Sequence, residues 1–322
     1  SRGEAGMKVL ITGGMGVIGS EAARKFVQEG IRPVIYARHR DESLIGDIAD
    51  QIDIELGDIL DLPRLLQTLK KHSITHIVHA AAFVGAVSQQ NPALSIQVNV
   101  MGMVNMLEAA RLFEIKRIVY TSAKGVYGPV TGEHGHPTFK PLPEDYPKNP
   151  VRIYDSAKLM GEYTGLYYQA NMGLDIAILR FATTYGPGKT ARHGDKGTTS
   201  QLIESVAAGR PFRLAEGGDK RDDFIYIKDC ALGIYLACIA GHPKSRVYNI
   251  GTGVGVTLQD FARVLRRHFP EADIEIGPGF TPSNIYDLSR ARQELGYNPQ
   301  FDLERGIADY LERLKRRPSR IA

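Results

Sequence analysis

The stretch Lys8-Val9-Leu10-Ile11-Thr12-Gly13-Gly14-Met15-Gly16-Val17-Ile18-Gly19 decides how the first part of this chain folds. It opens with a short run of apolar and β-branched residues, which predicts a buried strand. Glycines then permit a tight turn, and the pattern from Gly16 to Glu29 predicts a helix directly after it. A helix that begins at such a turn offers free N–H groups and a positive dipole end to an anion. The stretch therefore predicts a phosphate-binding turn between a strand and a helix.

The spacing of these glycines suits the two phosphates of a dinucleotide. Gly13 and Gly14 permit the turn, and Gly16 lets a pyrophosphate approach the backbone. Gly19 lets the helix pack closely on the strand. An ordinary glycine turn is the alternative, and the strand–turn–helix context disfavours it. The predicted cofactor-binding residues here are Gly13, Gly14, Met15, Gly16, Val17, Ile18 and Gly19.

Strand and helix patterns alternate from this turn to Tyr185, and helical patterns predominate afterwards. Such alternation predicts parallel strands joined by right-handed crossovers, with helices on both faces of the sheet. We therefore expect an α/β fold, a doubly wound (Rossmann) parallel sheet with a smaller, discontinuous C-terminal substrate domain. The predicted dinucleotide-binding domain is 7–185 with 224–255, the substrate domain is 186–223 with 256–316, a tag or leader is 1–6, and a basic tail is 317–322.

The composition is that of an ordinary globular protein, with 43% hydrophobic and 24% charged residues among 322. Its longest nearly apolar stretches are too short to span a bilayer. The net charge of +4 owes much to the C-terminal end, which argues against a nucleic-acid-binding face. Cys230 and Cys238 lie ~12 Å apart if they share a helix, too far for a disulfide. We expect free thiols, a cytoplasmic location, no metal site, and neither nucleic acid nor membrane as a partner.

The end of the second predicted strand bears on the choice of cofactor. An acidic residue there would accept hydrogen bonds from the adenosine ribose and repel a 2′-phosphate, but Ala37 and Arg38 stand in its place. A guanidinium can pair bidentately with a phosphate, so Arg38 favours NADP over NAD. The alternative is that Arg38 is a solvated strand-end residue that stacks on adenine.

Later motifs resemble those of the extended short-chain dehydrogenase/reductases, specifically the NAD-dependent epimerase/dehydratase family, over nearly the whole chain from Met7. These motifs are Gly57-Asp58-Ile59-x-Asp61, His79-Ala80-Ala81-Ala82, Val98-Asn99-Val100-x-Gly102, Leu107-Glu108-Ala109-Ala110, Tyr154-x-x-x-Lys158, Leu179-Arg180-Phe181, Tyr185-Gly186-Pro187-Gly188 and Tyr248-Asn249-Ile250-Gly251. The resemblance implies that Asp58, Ile59, Ala80, Ala81, Ala82 and Asn99 contact the cofactor. It also implies a homodimer that pairs through the predicted helices Asn91–Phe113 and Tyr154–Asn171 as a four-helix bundle.

Tyr154 and Lys158 are four residues apart at the start of a predicted helix, so they share a face. A tyrosine acts as acid or base near neutral pH only if its pKa falls from about 10 toward 7, which an adjacent ammonium favours. We predict that Tyr154 moves the proton of a secondary alcohol while hydride is transferred. Lys158 tunes Tyr154 and holds the nicotinamide ribose, so both residues are also predicted to bind the cofactor.

Other positions depart from the family pattern. Ala123 stands where the family usually has a Ser or Thr that polarises the substrate oxygen, and Ser122 is retained as a catalytic candidate. Thr183 replaces a common Asn, and Asp222 replaces a diphosphate-clamping Arg, with Arg221 one place away. The segment Ile276–Asn284 lacks a further expected Arg. The predicted substrate-binding residues are Ala123, Lys124, Thr183, Arg192 and Arg221.

The segment Gly186–Gly197 contains Lys189, Arg192, His193 and Lys196, which predicts either a cationic lid over the pocket or an ordinary solvated loop. The sequence favours an NAD(P)-dependent oxidoreductase that transfers hydride at a secondary alcohol or ketone of a small hydroxy or keto compound, sugar-derived or acidic compounds included. One alternative is a nucleotide-sugar 4-epimerase or dehydratase. The other is a non-catalytic NAD(P)-binding redox sensor.

Overall fold

The computed structural model describes residues 6–190, 197–241 and 243–316. Its strands are β1 (Val9–Thr12), β2 (Val34–Ala37), β3 (Asp53–Leu56), β4 (His76–His79), β5 (Arg117–Ala123), β6 (Ile176–Phe181), β7 (Thr183–Tyr185), β8 (Phe212–Leu214), β9 (Asp222–Tyr226), β10 (Val247–Ile250), β11 (Gly255–Val256) and β12 (Ile274–Ile276). Its α-helices are α1 (Val17–Gln28), α2 (Leu62–His72), α3 (Gly85–Gln90), α4 (Pro92–Ile96), α5 (Gly102–Leu112), α6 (Ile153–Met172), α7 (Thr198–Ala207), α8 (Ile227–Ile239), α9 (Leu258–His268), α10 (Ser289–Leu295) and α11 (Leu303–Lys315).

Seven strands form one parallel sheet in the order β10-β6-β5-β4-β1-β2-β3. Successive residues of a strand point to opposite faces, and here both faces are apolar. Val9 and Ile11 pack on one face with Phe26 of α1, whereas Leu10 packs on the other with Met106 of α5. Helices therefore cover both faces, and the predicted doubly wound α/β fold is confirmed.

The remaining described strands lie outside this sheet. One small sheet has the order β11-β9-β7, and a second pairs β12 with β8. A third apolar cluster joins them to α9 and α11, with Tyr185, Phe261 and Tyr310 among its buried residues. The boundaries between a cofactor domain and a substrate domain stay a prediction.

One predicted helix differs in the structure. Asn91–Phe113 was expected to be continuous and regular, but it consists of α4, a π-helical turn at Gln97–Met101, and α5. A π turn holds one more residue than an α turn, and such turns carry no strong sequence signature. The strand β7 and the helix α10 were not predicted, because each is short and lacks a clear period.

The two cysteines lie on α8, buried and unpaired as predicted. Among the helices that the structure describes, none is both long and apolar enough to cross a membrane. The described part of the chain also holds no cluster of metal-ligating side chains. Of the predicted cationic loop, Arg192, His193 and Lys196 lie outside the described residues, as does the basic tail.

Candidate functional site: a dinucleotide crevice beside a charged cavity

The turn after β1 has the conformation that its glycines predict. Gly13 adopts a positive φ of 66°, which disfavours any other residue there. A Cβ on Gly19 would lie 2.2 Å from the Gly13 carbonyl oxygen, so only glycine lets α1 pack this closely on the turn. Gly16 caps α1 without a side-chain hydrogen bond. The first-turn N–H groups of α1 are therefore not bonded to a capping side chain, as a phosphate site requires.

A crevice of about 330 Å³ opens beside this turn at the carboxyl ends of β1 to β4. Its walls contain predicted cofactor-binding residues from four separate segments: Gly13, Met15, Gly16, Arg38, Asp58, Ile59, Ala81 and Ala82. A Cβ on Gly13 would lie 2.7 Å from the Ala81 Cα, so the absence of a side chain brings the two walls together. The shape and donors of the crevice fit a dinucleotide.

Asn99 and Ala80 are predicted cofactor-binding residues that do not line the crevice. Asn99 is buried, and its amide bonds to both the N–H and the carbonyl of Phe83, at 2.8 and 3.0 Å. It thereby holds the loop after β4 while Val98 and Phe83 line the crevice. Ala80 donates its N–H to the Thr12 carbonyl and is absent from the lining. Both residues shape the wall of the crevice in this structure.

Arg38 is an exposed residue of the crevice wall. The structure gives it no ion pair with a carboxylate of residues 6–190, 197–241 or 243–316. Its neighbour Arg40, in contrast, pairs with Glu42. The guanidinium of Arg38 is thus available to an anion at the adenosine end of the crevice.

Tyr154 and Lys158 lie on the first turns of α6, at the carboxyl end of β5. The Lys158 ammonium donates to the Thr121 carbonyl at 2.6 Å and lies 5.8 Å from the Tyr154 ring centroid. Burial lowers the pKa of Lys158 to about 7, although Glu162 acts in the opposite direction. Burial also raises the pKa of the Tyr154 phenol. Burial therefore dominates both groups, and the fall in the pKa of Tyr154 that the sequence predicts is not found in this structure, where the Lys158 ammonium bonds to the Thr121 carbonyl.

Ser122 belongs to a buried ionic network behind this pair. Its hydroxyl donates to Glu162, which forms a salt bridge of 2.6 Å with Arg180. Arg180 also donates to the Tyr127 hydroxyl at 2.9 Å. Because the Ser122 hydroxyl is bonded to a buried carboxylate, the geometry favours a structural role for it over the predicted catalytic one.

A second cavity, of about 350 Å³, lies beyond β5 and the first turn of α6. The residues that line it are Lys124, Gly125, Gly128, Pro129, Val151, Arg152, Asp155, Thr183, Lys220, Asp222, Pro282, Ser283 and Asn284. Lys124 and Thr183 are predicted substrate-binding residues, and both are there. Ala123 and Arg221 are not among the lining residues, and Arg192 lies outside the described part of the chain.

Asp222 is the charged centre of this cavity. It is buried and pairs with Lys124, while Thr183 donates to it at 2.8 Å and Lys220 lies 3.4 Å away. Burial alone would raise the pKa of Asp222, but the two ammonium groups outweigh it and hold the pKa below its usual value. The negative charge of Asp222 is therefore offset within the protein by the ammonium groups of Lys124 and Lys220.

Several cavity residues were missed from the sequence. Asp155 follows Tyr154 directly, is buried, and pairs with Arg152 at 2.6 Å. Its carboxylate packs on Gly125, where a Cβ would lie 2.1 Å from an Asp155 oxygen. The Oδ1 atoms of Asp155 and Asn284 are buried, and neither has a hydrogen-bond partner among the residues that the structure describes. The position of Asp155 directly after the predicted acid/base Tyr154 was a signal in the sequence. The sequence does not show that its carboxylate packs against Gly125.

A doubly wound sheet, a glycine-lined crevice and a Tyr/Lys pair with a buried lysine at one sheet edge define a dinucleotide-dependent oxidoreductase of the extended short-chain dehydrogenase type. Residues 9–251 match the family described as the NAD dependent epimerase/dehydratase family. The chain belongs to that family and is an NAD-dependent enzyme.

Relatives of similar length support this assignment. The chain is 30% identical to a UDP-glucose 4-epimerase of Mycolicibacterium smegmatis, with 95% of this chain and 98% of that protein covered. It is 28% identical to a UDP-glucose 4-epimerase of Rhizobium meliloti, covering 92% and 93%. Among solved structures, a UDP-glucose 4-epimerase of Thermus thermophilus in complex with NAD superposes with a TM-score of 0.81, at 25% identity and over 96% and 99% of the two chains.

Proposed function

We propose that the protein transfers hydride at a secondary alcohol or ketone of a small hydroxy or keto compound, such as a sugar or sugar acid, with Tyr154 as acid/base. The observation that carries this proposal is the Tyr154/Lys158 pair on the first turns of α6, where Lys158 is buried against the Thr121 carbonyl and Asp155, the residue after Tyr154, lines the charged cavity. When bound, the nicotinamide supplies the hydride acceptor or donor. The Tyr154/Lys158 pair speaks against the redox-sensor alternative, because a protein that only binds the cofactor needs no acid/base beside Lys158.

Each residue has one task in this proposal. Tyr154 accepts the proton of the substrate hydroxyl during oxidation and returns a proton during reduction. Lys158, fixed by the Thr121 carbonyl, stabilises the phenolate and holds the ribose hydroxyls. Gly13, Gly16 and the start of α1 bind the phosphates, while Asp58 and Ile59 lie in the crevice wall beside the adenosine end.

A nucleotide-sugar 4-epimerase is the second candidate. It is supported by the relatives, several of which are UDP-glucose 4-epimerases that this chain matches over nine-tenths of its length or more. The cavity favours a small substrate over a nucleotide sugar. Asp222 stands where the family has a diphosphate-binding Arg, and the Arg152 guanidinium is already paired with Asp155. Each charge-assisted hydrogen bond lost to a diphosphate is worth ~1.5–3 kcal/mol.

The two candidates differ in their products. We would incubate the protein with NAD or NADP and a panel of sugars, sugar acids and hydroxy acids, and follow the nicotinamide absorbance. UDP-glucose and UDP-galactose would be analysed by chromatography for interconversion. Net oxidation of a small compound supports the first candidate. Interconversion without net reduction of the cofactor, with micromolar binding of UDP in calorimetry, would establish the second.

The choice between NADP and NAD gives a further prediction. The Arg38 guanidinium lies at the crevice wall and forms no ion pair with a carboxylate of the described residues. We therefore expect NADP to bind several-fold more tightly than NAD, because a phosphate–guanidinium pair contributes roughly 1–3 kcal/mol. Replacing Arg38 with Ala should abolish the preference, as measured by calorimetric titration with both cofactors. Arg40→Ala is the matched control, because Arg40 is paired with Glu42. Equal affinities in the parent protein would disprove the preference.

A homodimer is also part of the proposal. Large apolar side chains are exposed on α4, α5, α6 and the π turn: Leu94, Met101, Leu112, Met160, Tyr163, Tyr167 and Met172. We propose that a second copy covers them by forming a four-helix bundle, because exposed apolar patches on adjacent helices commonly mark such interfaces. Sedimentation equilibrium at micromolar concentration tests this, and a monomer would refute it.

A further inference from the structure

We propose that the Lys124 ammonium binds the oxygen on the reacting carbon of the substrate, as the second donor beside Tyr154. The proposal deepens the function proposed above and depends on it. Lys124 exchanges no proton and forms no covalent bond. In oxidation the hydroxyl proton goes to Tyr154, the hydride goes to the oxidised nicotinamide, and Lys124 stabilises the negative charge that develops on oxygen.

A developing oxyanion needs a positioned donor in a water-poor site, and such donors contribute much of the rate in comparable reactions. The hydroxyl groups at the end of β5 are already bonded elsewhere. Thr121 donates to the His79 carbonyl at 3.2 Å, and Ser122 donates to Glu162. Ala123 carries no donor. Lys124 is therefore the next side chain of this segment that could supply one.

The contacts of Lys124 leave it a donor to spare. An ammonium has three N–H groups. One bonds to Asp222 and another to the Asn284 carbonyl at 2.9 Å. Residues 6–190, 197–241 and 243–316 give it no third hydrogen-bond acceptor, and its side chain is 17% exposed at the cavity wall. The third N–H is thus available to a ligand oxygen in the cavity.

The backbone places Lys124 beside the acid/base. Gly125, the next residue, lies directly against the Asp155 carboxylate, where a Cβ would be only 2.1 Å from Oδ1. Asp155 follows Tyr154 in the first turn of α6. The segment that carries Lys124 and the turn that carries Tyr154 are therefore in van der Waals contact, and Lys124 and Asp155, one from each, line the same cavity.

Asp222 keeps Lys124 in place. It is held by Thr183 and lies on β9, which pairs with β7 in a register of Thr183 with Phe224. The Lys124 ammonium also lies 5.8 Å from the Tyr286 ring centroid, a favourable cation–π distance. A buried carboxylate and an aromatic ring thus fix an ammonium whose remaining donor points to none of the described protein acceptors.

The decisive experiment compares Lys124→Met, Lys124→Met/Asp222→Asn and Lys124→Met/Asp222→Asn/Ala123→Ser as NAD-loaded proteins on the best substrate of the panel. We expect Lys124→Met to lower kcat by about 10²-fold, the usual cost of removing one such donor. The double variant, which leaves no unpaired buried carboxylate, should stay equally slow. The Ala123→Ser addition should restore kcat at least several-fold, because it returns a donor to the neighbouring position. If Asp222→Asn alone restores activity to Lys124→Met, Lys124 only neutralises Asp222 and the proposal is wrong.

A binding measurement tests the proposal without turnover. Acetate serves as a small oxyanion probe in calorimetric titration of the NAD-loaded protein. We expect weak binding by the parent and at least several-fold weaker binding by the double variant. Lys140→Met is the control, because Lys140 is an exposed lysine paired with Glu133 away from the cavity. No acetate binding by the parent, or equal binding by parent and double variant, would overturn the proposal. Loss of turnover in Tyr154→Phe tests the proposed function separately.

Discussion

Replacing Tyr154 with Phe is expected to lower kcat by about 10²-fold or more while the affinity for the cofactor stays within about twofold of the parent. The substitution removes only the hydroxyl group, so the ring that lies 5.8 Å from the Lys158 ammonium is kept. Without the hydroxyl, the proton of the substrate alcohol has no positioned acceptor. Steady-state kinetics and calorimetric titration of NAD and NADP measure the two quantities.

Tyr163→Phe is a matched control for this change. Tyr163 lies on the same helix, but its side chain is 57% exposed. Its loss of a hydroxyl should leave kcat unchanged. Near-parental turnover of Tyr154→Phe would show that another group is the acid/base.

Replacing Lys158 with Met should abolish turnover and yet stabilise the cofactor-free protein at pH 6. The pKa of Lys158 is about 7 in the folded protein, against 10.5 for an ordinary lysine. A folded-state pKa below the unfolded value means that the unfolded chain binds more protons between these limits, so stability rises with pH there. Well below pH 7 the whole cost of burying the ammonium is present, and the shift from 10.5 to about 7 makes it on the order of 5 kcal/mol. Methionine has no such cost.

Thermal unfolding of parent and Lys158→Met at pH 6 and pH 10 checks the sign of this effect. We expect the variant to unfold several degrees higher than the parent at pH 6, with a smaller gap at pH 10. A gap of the same size at both pH values would mean that the ammonium is not the source. The variant should also bind NAD more weakly, since the ribose loses a donor.

The parts of the fold that depend on residues close together in the sequence could be predicted from it. Glycine positions predict the turn after β1, and the alternation of strand and helix patterns up to Tyr185 predicts the parallel sheet. The site is different, because its contacts join distant segments. Lys124 and Asp222 are 98 positions apart, and Ser122 and Glu162 are 40 apart. The sequence shows that Asp222 stands where the family has an Arg. Only the three-dimensional structure shows that Lys124 forms the ion pair with it.

The helix α8 and the strand β10 affect how the chain can fold during its synthesis. The edge strand β10 pairs with β6 although some 65 residues of the smaller sheets and their helices separate the two in sequence. The helix α8 covers α1, with Tyr235 against Phe26 at 5.7 Å between ring centroids. A nascent chain that has emerged only as far as Tyr185 therefore holds six of seven sheet strands, with the face that carries α1 only partly covered. Its core closes only when residue 250 is free of the ribosome, so the first half of the chain depends on the second for protection from aggregation.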